Sequence, residues 1–147
     1  MRRFRAAAGA KLVRLLAKHA RERRRGLASD RLPREDSLST YFHDPHQRVR
    51  KQLLPGVQIR TFWGDRMLLS LVDLEKNAEV PLHTHPHEQA GIVLQGEAEM
   101  TIGNETRQLK QGDVYVVPGD TVHAVKNRAK PACFLDIFSP VREEYKY

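Results

Sequence analysis

Residues 97–104 read Glu97-Ala98-Glu99-Met100-Thr101-Ile102-Gly103-Asn104. Polar and apolar side chains alternate over the first six of these residues, as they do in a β-strand with one face in a core and one in water. The Gly-Asn pair that follows favours the tight turn of a β-hairpin. This stretch therefore predicts antiparallel β-structure.

Short apolar or alternating runs, separated by turn residues, continue on both sides of this stretch. They predict further strands over residues 57–63, 67–74, 90–94, 106–109, 114–117, 122–125 and 132–138. About eight strands of this length close into a two-sheet jelly roll. No run beyond Arg50 has helical periodicity. The predicted fold class is therefore all-β, a double-stranded β-helix (jelly-roll) barrel.

The 147 residues are enough for one well-formed core and too few for two ordinary domains. Positive charge is concentrated at the start, because residues 1–25 contain ten Lys or Arg and one Glu, whereas residues 26–147 contain 15 basic and 17 acidic side chains. The barrel therefore lacks the basic surplus that would favour nucleic acid. We predict a basic N-terminal extension, helical or disordered, with a linker over residues 1–50 and the barrel over residues 51–147.

Other features bear on environment and assembly. No stretch approaches the ~20 apolar residues that span a bilayer, so we expect a soluble protein without a transmembrane segment. Cys133 is the single cysteine, which excludes an internal disulfide and indicates a reducing, cytoplasmic location. Residues 92–94 and 114–117 are apolar on both faces, so they need cover outside the barrel. We therefore predict a homodimer.

The segment over residues 81–91 reads Pro-Leu-His-Thr-His-Pro-His-Glu-Gln-Ala-Gly. Residues two apart on a strand project to the same side, so His83 and His85 can direct their imidazoles at one point. His123, just past a turn, can supply a third imidazole, and Gln89 can supply an amide oxygen. This set predicts a site for one divalent transition metal, with Zn, Ni, Fe and Mn all compatible. Three ordinary histidines in a barrel without metal are the alternative.

These stretches resemble the two motifs of the cupin family. The first motif is matched by His83, His85, Gln89 and Gly96, and the second by Gly112, Pro118, His123 and Asn127. There are two departures, since Gln89 stands where many cupins have Glu and the turn glycine is Gly119 with Asp120 after it. The resemblance covers about residues 52–145 and implies a barrel that holds a metal.

A narrower resemblance is to the single-domain KdgF-type cupins of pectin and alginate breakdown. It rests on two segments. One is the His-Thr-His-Pro-His-Glu-Gln segment of residues 83–89, and the other, near the end of the chain, is Asp136-Ile137-Phe138-Ser139-Pro140-Val141-Arg142-Glu143. The resemblance implies a metal-assisted conversion of unsaturated 4,5-ene uronates into the open-chain keto form. It also implies that Asp136, Phe138 and Arg142 contribute to the site.

Elementary chemistry is compatible with that implication. From a pocket, Asp136 could move a proton beside the metal, and Arg142 could bind the carboxylate of a small anionic substrate. A structural ion pair between Asp136 and Arg142 is the alternative for these two residues. For the whole protein we expect a metal-dependent enzyme of the lyase or isomerase kind acting on a sugar-derived anion. A cupin dioxygenase using Fe, Ni or Cu with O2 and a non-catalytic sugar- or effector-binding cupin are the alternatives.

Overall fold

The structure is a computed structural model that describes residues 41–128 and 130–147. Within these residues the chain forms ten strands and one 3₁₀ helix. In chain order they are β1 (Lys51–Leu54), β2 (Val57–Trp63), β3 (Leu68–Leu74), β4 (Glu79–His83), β5 (Glu88–Gln95), β6 (Glu97–Ile102), β7 (Glu105–Lys110), β8 (Val114–Val117), β9 (His123–Lys126), β10 (Ala132–Ser139) and η1 (Glu143–Tyr145). All the predicted strands are present, whereas β1 and β4 were not predicted.

The strands form two antiparallel sheets. The six-stranded sheet has the order β1-β2-β3-β10-β5-β8, and the four-stranded sheet has the order β4-β9-β6-β7. Several strands that are neighbours in space are distant in sequence, such as β10, which pairs with both β3 and β5. This is the predicted all-β jelly-roll barrel, and the fold class is confirmed.

The core lies between the two sheets. Every second residue of β10 from Ala132 to Phe138 is buried, while the residues between them are half-buried. Phe134 of β10 and Leu74 of β3 meet Met100 of the four-stranded sheet in one apolar cluster. A fully buried side chain of this size contributes about 1.5–3 kcal/mol to folding. The same alternation directs the polar residues of the inner face toward the pocket described below.

Turns and a buried amide join the strands. Gly103 adopts a φ of 54° between β6 and β7, which confirms the hairpin that Gly-Asn predicted. Asn127, which follows β9, is fully buried, and its Nδ2 donates to the carbonyl oxygens of Glu75 and Lys130 at 2.8 and 2.7 Å. The second-motif asparagine therefore ties the end of β9 to the end of β3.

Arg48 fastens residues 41–50 to the barrel. Its Nε donates to the carbonyl oxygen of Thr61 at 3.0 Å, and its Nη2 donates to the main-chain oxygen of Tyr147. The predicted basic segment of residues 1–25 lies outside the described residues, and the assignment of residues 1–50 as an extension stays a prediction. No helix within residues 41–128 and 130–147 has the length and apolarity to cross a membrane.

Candidate metal centre

Three imidazoles meet at one end of the barrel. The register of β4 and β9 places His83 directly opposite His123, and His85 follows two residues after the end of β4. One ligand nitrogen from each of the three side chains lies within 4.8 Å of the others. Two nitrogens bound ~2.1 Å from a tetrahedral ion are ~3.4 Å apart, so a contraction of the cluster by little more than 1 Å would give coordination geometry.

The backbone determines which nitrogen of each ring is protonated. Every Nδ1 faces a carbonyl oxygen, which can only accept a hydrogen bond, so Nδ1 carries the proton and Nε2 keeps its lone pair. The three acceptors are the carbonyl oxygens of Pro81, His87 and Thr121, at 2.9, 3.0 and 2.8 Å from the Nδ1 atoms of His83, His85 and His123. All three rings are therefore in the tautomer that binds a metal through Nε2.

Two features of the histidine cluster indicate a bound cation. The Nε2 of His123 is buried and has no hydrogen-bond partner among the described residues. The Nε2 of His85 lies 3.2 Å from the Oε1 of Gln89, and with the proton on Nδ1 both of these atoms are acceptors. Converging lone pairs without a proton between them are unfavourable, and one metal ion would satisfy both. The donor set therefore fits a divalent transition metal.

Burial keeps two of the imidazoles neutral. It lowers the pKa of His123 to about 4. Burial, and after it the nearby Arg142 guanidinium, lowers the pKa of His85. A protonated imidazole repels a cation and has no free lone pair, so neutral rings are the form that a metal requires.

A glycine and a left-handed residue support the loop that carries His85. A Cβ on Gly119 would lie 2.5 Å from the carbonyl oxygen of Pro86, so only glycine allows this close approach of two loops. Asp120 then takes a φ of 62°, and its N–H donates to the carbonyl oxygen of His85 at 2.8 Å. In this turn, the glycine that allows the close approach of the two loops is Gly119, and the residue with the left-handed backbone is the next one, Asp120. The one-residue shift from the family pattern therefore places these two functions on different residues.

Asp136 faces the same pocket from the six-stranded sheet, and its partner is a residue that sequence reasoning missed. The hydroxyl of Tyr115 donates to its Oδ1. Burial raises the pKa of Asp136 to about 6, against the opposing effect of hydrogen bonds with Tyr115 and Gln89. Burial, and after it Asp136, holds the pKa of Tyr115 well above its usual value, so the phenol remains a donor.

The ion pair between Asp136 and Arg142 that the sequence left open is not formed. Arg142 is buried and pairs instead with Glu144, with both Nε and Nη2 at 2.8 Å from Oε1. Its guanidinium lies 5.0 Å from the centre of the Phe138 ring and 4.0 Å from that of Tyr145. Arg142 is thus a buried cation whose present partner is a half-exposed carboxylate.

Three other residues with reactive side chains lie outside this set. His87 contributes its backbone carbonyl to His85, and its ring is not part of the nitrogen cluster. His46 is exposed. Cys133 is half-buried, and burial raises the pKa of its thiol to about 11, so the thiol stays protonated at neutral pH.

Six of the seven predicted site residues line one cavity of about 50 Å³, and His85 is the exception. The lining includes His83, Gln89, His123, Asp136, Phe138 and Arg142. A larger, open groove of about 680 Å³ beside β7 and β8 contains none of these six residues. The candidate site therefore belongs to the smaller cavity.

The fold and this histidine cluster define a cupin, and comparison with known proteins agrees. The model of the cupin domain, Cupin_2, matches residues 70–138. The chain belongs to the cupin family, and within it the chain is related to KdgF. The pectin degradation protein KdgF of Dickeya dadantii (strain 3937) is 32% identical over 110 residues, which are 74% of this chain and 99% of that protein.

Two further relatives agree. The structure of KdgF from Halomonas sp. superposes with a TM-score of 0.68 at 28% identity, covering 71% of this chain and 97% of that one. The H2HPP isomerase of Bacillus subtilis is 32% identical over 94 residues, which are 63% of this chain and 40% of that protein. The histidine cluster is compatible with a metal site, and the relatives include a pectin degradation protein and an isomerase.

Proposed function

We propose that this protein is a metal-dependent enzyme that isomerises a small anionic substrate derived from a sugar, of the unsaturated 4,5-ene uronate type. The observation that carries the proposal is the shared cavity, in which Asp136 and Arg142 face the histidine cluster. An ion site, a carboxyl group and a guanidinium in one pocket suit acid-base chemistry on a carboxylate substrate. The relation to KdgF supports the substrate class.

Each predicted site residue has a role in this proposal. His83, His85, His123 and Gln89 would hold one divalent ion, Zn, Ni, Fe or Mn, which supplies positive charge that polarises a substrate oxygen. None of these four ligands carries a negative charge, so they leave the charge of the ion uncompensated. Arg142 binds the substrate carboxylate, and the ring of Phe138 beside it forms an apolar wall for the sugar.

The proposed reaction is a redistribution of one proton. The bond between the ring oxygen and the anomeric carbon breaks, and the anomeric hydroxyl loses its proton as that carbon becomes an aldehyde carbonyl. The carbon of the double bond that does not carry the ring oxygen gains a proton. The enol oxygen becomes a ketone, and no water is consumed. Asp136 is the carboxyl group in the pocket that can carry this proton between the two positions.

The test combines metal content with turnover. Purified protein is analysed for bound metal and assayed for loss of the ultraviolet absorbance of an unsaturated uronate. We expect His85→Ala to lose the metal and the activity, and Asp136→Asn to keep the metal and lose turnover by about 10²-fold or more. The exposed residues His46 and Asp65 supply matched controls, His46→Ala and Asp65→Asn, which should behave as the wild type.

Three outcomes would overturn the proposal. One is wild-type protein that binds metal yet leaves the uronate unchanged. A second is Asp136→Asn with full turnover and only a lower melting temperature, which would make the carboxyl structural. The third is oxygen consumption with Fe, Ni or Cu in the site, which would indicate a dioxygenase instead.

We also propose that the protein is a homodimer in which the second subunit covers the outer face of the six-stranded sheet. The registers of β3, β10, β5 and β8 place Leu71, Leu135, Ile92 and Val114 in one row across this face. Val114 and, in the next row, Val116 are 71% and 57% exposed. A contiguous apolar face of this kind is typical of an interface between subunits.

The oligomeric state tests this second proposal. Light scattering with size-exclusion chromatography should give twice the chain mass for the wild type and the single mass for Val116→Lys. Met67, which is 51% exposed in a turn, provides the control, because Met67→Lys should remain dimeric. A wild-type monomer at concentrations of tens of micromolar would contradict the proposal. The single cysteine also leads us to propose a cytoplasmic location, which cell fractionation can check.

A further inference from the structure

A tyrosine reaches Asp136 across a gap of one strand. On the inner face of the six-stranded sheet, Tyr115 of β8 is opposite Gly91 of β5, and Gly91 is opposite Asp136 of β10. Tyr115 and Asp136 are thus two strands apart, roughly 9–10 Å along the sheet. Only a long side chain that lies flat over the strand between them can span this distance.

Gly91 provides the room for that side chain. A Cβ on Gly91 would lie 2.3 Å from the Cζ of Tyr115 and 2.4 Å from its hydroxyl oxygen. Carbon atoms in contact are normally about 3.5–4.0 Å apart, so any other residue at this position would exclude the tyrosine ring. A glycine in the interior of a strand marks such a close approach.

The amide of Gln89 joins the same network. Its Oε1 lies 3.2 Å from the Nε2 of His85, on the side of the histidine cluster. The Gln89 side chain also opposes the rise that burial causes in the pKa of Tyr115 and in that of Asp136, so its amide lies beside both groups. Because Oε1 is directed at the cluster, the amide nitrogen is the group that faces the tyrosine and the carboxyl group. Gln89 thus connects the expected metal ligands to the acid-base residue.

We infer that Tyr115 is a positioning residue, which with Gln89 orients the carboxyl group of Asp136 toward the reacting atoms in the pocket. The inference rests on the proposed function of Asp136. Arg142 does not orient Asp136, since its ion-pair partner is Glu144. The neutral donors Tyr115 and Gln89 perform that task and leave the charge of Arg142 available for the substrate. A glutamate at position 89 would replace the amide donor with a second carboxylate beside Asp136.

Tyr115→Phe tests the inference, because it removes one hydroxyl oxygen and keeps the ring over Gly91. We expect the metal content to be unchanged, kcat on an unsaturated uronate to fall about 10- to 100-fold, and KM to stay within about twofold. The matched control is Tyr147→Phe, since Tyr147 does not line the pocket and its hydroxyl donates to the carbonyl oxygen of Ile59 and not to a side chain of the site. This control should keep the wild-type kcat.

Crystal structures of the metal-loaded wild type and Tyr115→Phe provide a readout that does not depend on turnover. We expect the carboxyl group of Asp136 to rotate away from its wild-type orientation in the variant. An unchanged carboxyl orientation, or a kcat within twofold of the wild type, would overturn the inference. If the wild type converts no uronate at all, the proposed function fails, and the two crystal structures alone decide the role of Tyr115.

Discussion

Replacing Gly91 with alanine should destabilise the barrel through a steric clash with a single side chain. The added Cβ would lie 2.3 Å from the Cζ of Tyr115 and 2.6 Å from its Cε2. Normal contact between carbon atoms is about 3.5–4.0 Å, so the ring must retreat by more than 1 Å. Gly91 does not have a left-handed φ, so its backbone conformation is one that alanine can also adopt.

The expected loss follows from two terms. Overpacking of a well-packed interior costs about 1–3 kcal/mol. A ring displaced by more than 1 Å also loses its hydrogen bond to Asp136. Leaving a buried polar group without its partner costs about 1–3 kcal/mol. We therefore expect Gly91→Ala to lower the free energy of unfolding by about 2–6 kcal/mol, measured by urea denaturation followed by circular dichroism. A Cβ on Gly64 would meet nothing within 4 Å, so Gly64→Ala should stay within about 0.5 kcal/mol of the wild type.

A double-mutant cycle isolates the clash. Tyr115→Ala removes the ring, so adding Gly91→Ala to that variant should cost less than about 1 kcal/mol, and the two substitutions should couple by at least that amount. Equal costs of Gly91→Ala in both backgrounds would refute the steric explanation. A loss below about 1 kcal/mol in the wild-type background would refute it as well.

Two other residues give predictions of their own. Glu144→Gln removes the carboxylate that pairs with Arg142, so KM for an anionic substrate should fall about two- to fivefold, in line with a partly exposed ion pair. Glu143→Gln, which affects only an exposed pair with a lysine, should leave KM unchanged, and an equal effect of both substitutions would contradict the role of Glu144. The pKa of Cys133, which burial raises to about 11, keeps the thiolate scarce at neutral pH. Its alkylation by iodoacetamide should therefore be about 10²-fold slower than that of a free thiol, and should accelerate about tenfold per pH unit up to pH ~10. Alkylation at the rate of a free cysteine would contradict the buried thiol.

The strands that were predicted from sequence have either alternating side chains or a short continuous apolar run. In β6, Ala98 and Met100 are buried between more exposed neighbours, and this pattern is visible without a structure. The missed strand β4 contains Pro81, and none of its residues is fully buried. It lacks the alternation that sequence reasoning relies on, and its pairing with β9 identifies it as a strand.

Some residues of the candidate site were predicted from sequence, and one was not. The sequence grouped His83 with His85 by assuming one extended strand, but β4 ends at His83 and His85 lies in the loop after it. The loop nevertheless brings both imidazoles to His123 in one cluster. Tyr115 could not be found in this way, because its contact with Asp136 depends on the registers of three strands that are distant in sequence. The available signal was Gly91 in the interior of a strand, which indicates a close approach without identifying the residue that makes it.

The carbonyl oxygens behind the three imidazoles have a consequence for metal selection. Main-chain atoms hold each ring in its tautomer, so the Nε2 lone pairs are free before any ion arrives, and binding requires the three rings only to move together by little more than 1 Å. A preorganised set of neutral nitrogen donors ranks ions by their intrinsic preference for nitrogen, which rises from Mn through Fe and Ni to Cu and falls again at Zn. Because this ranking comes from the donor atoms and not from a geometry that suits one ion, the ion bound in the cell should also depend on which ions are available. Exchanging one divalent ion for another should leave the barrel itself unaltered.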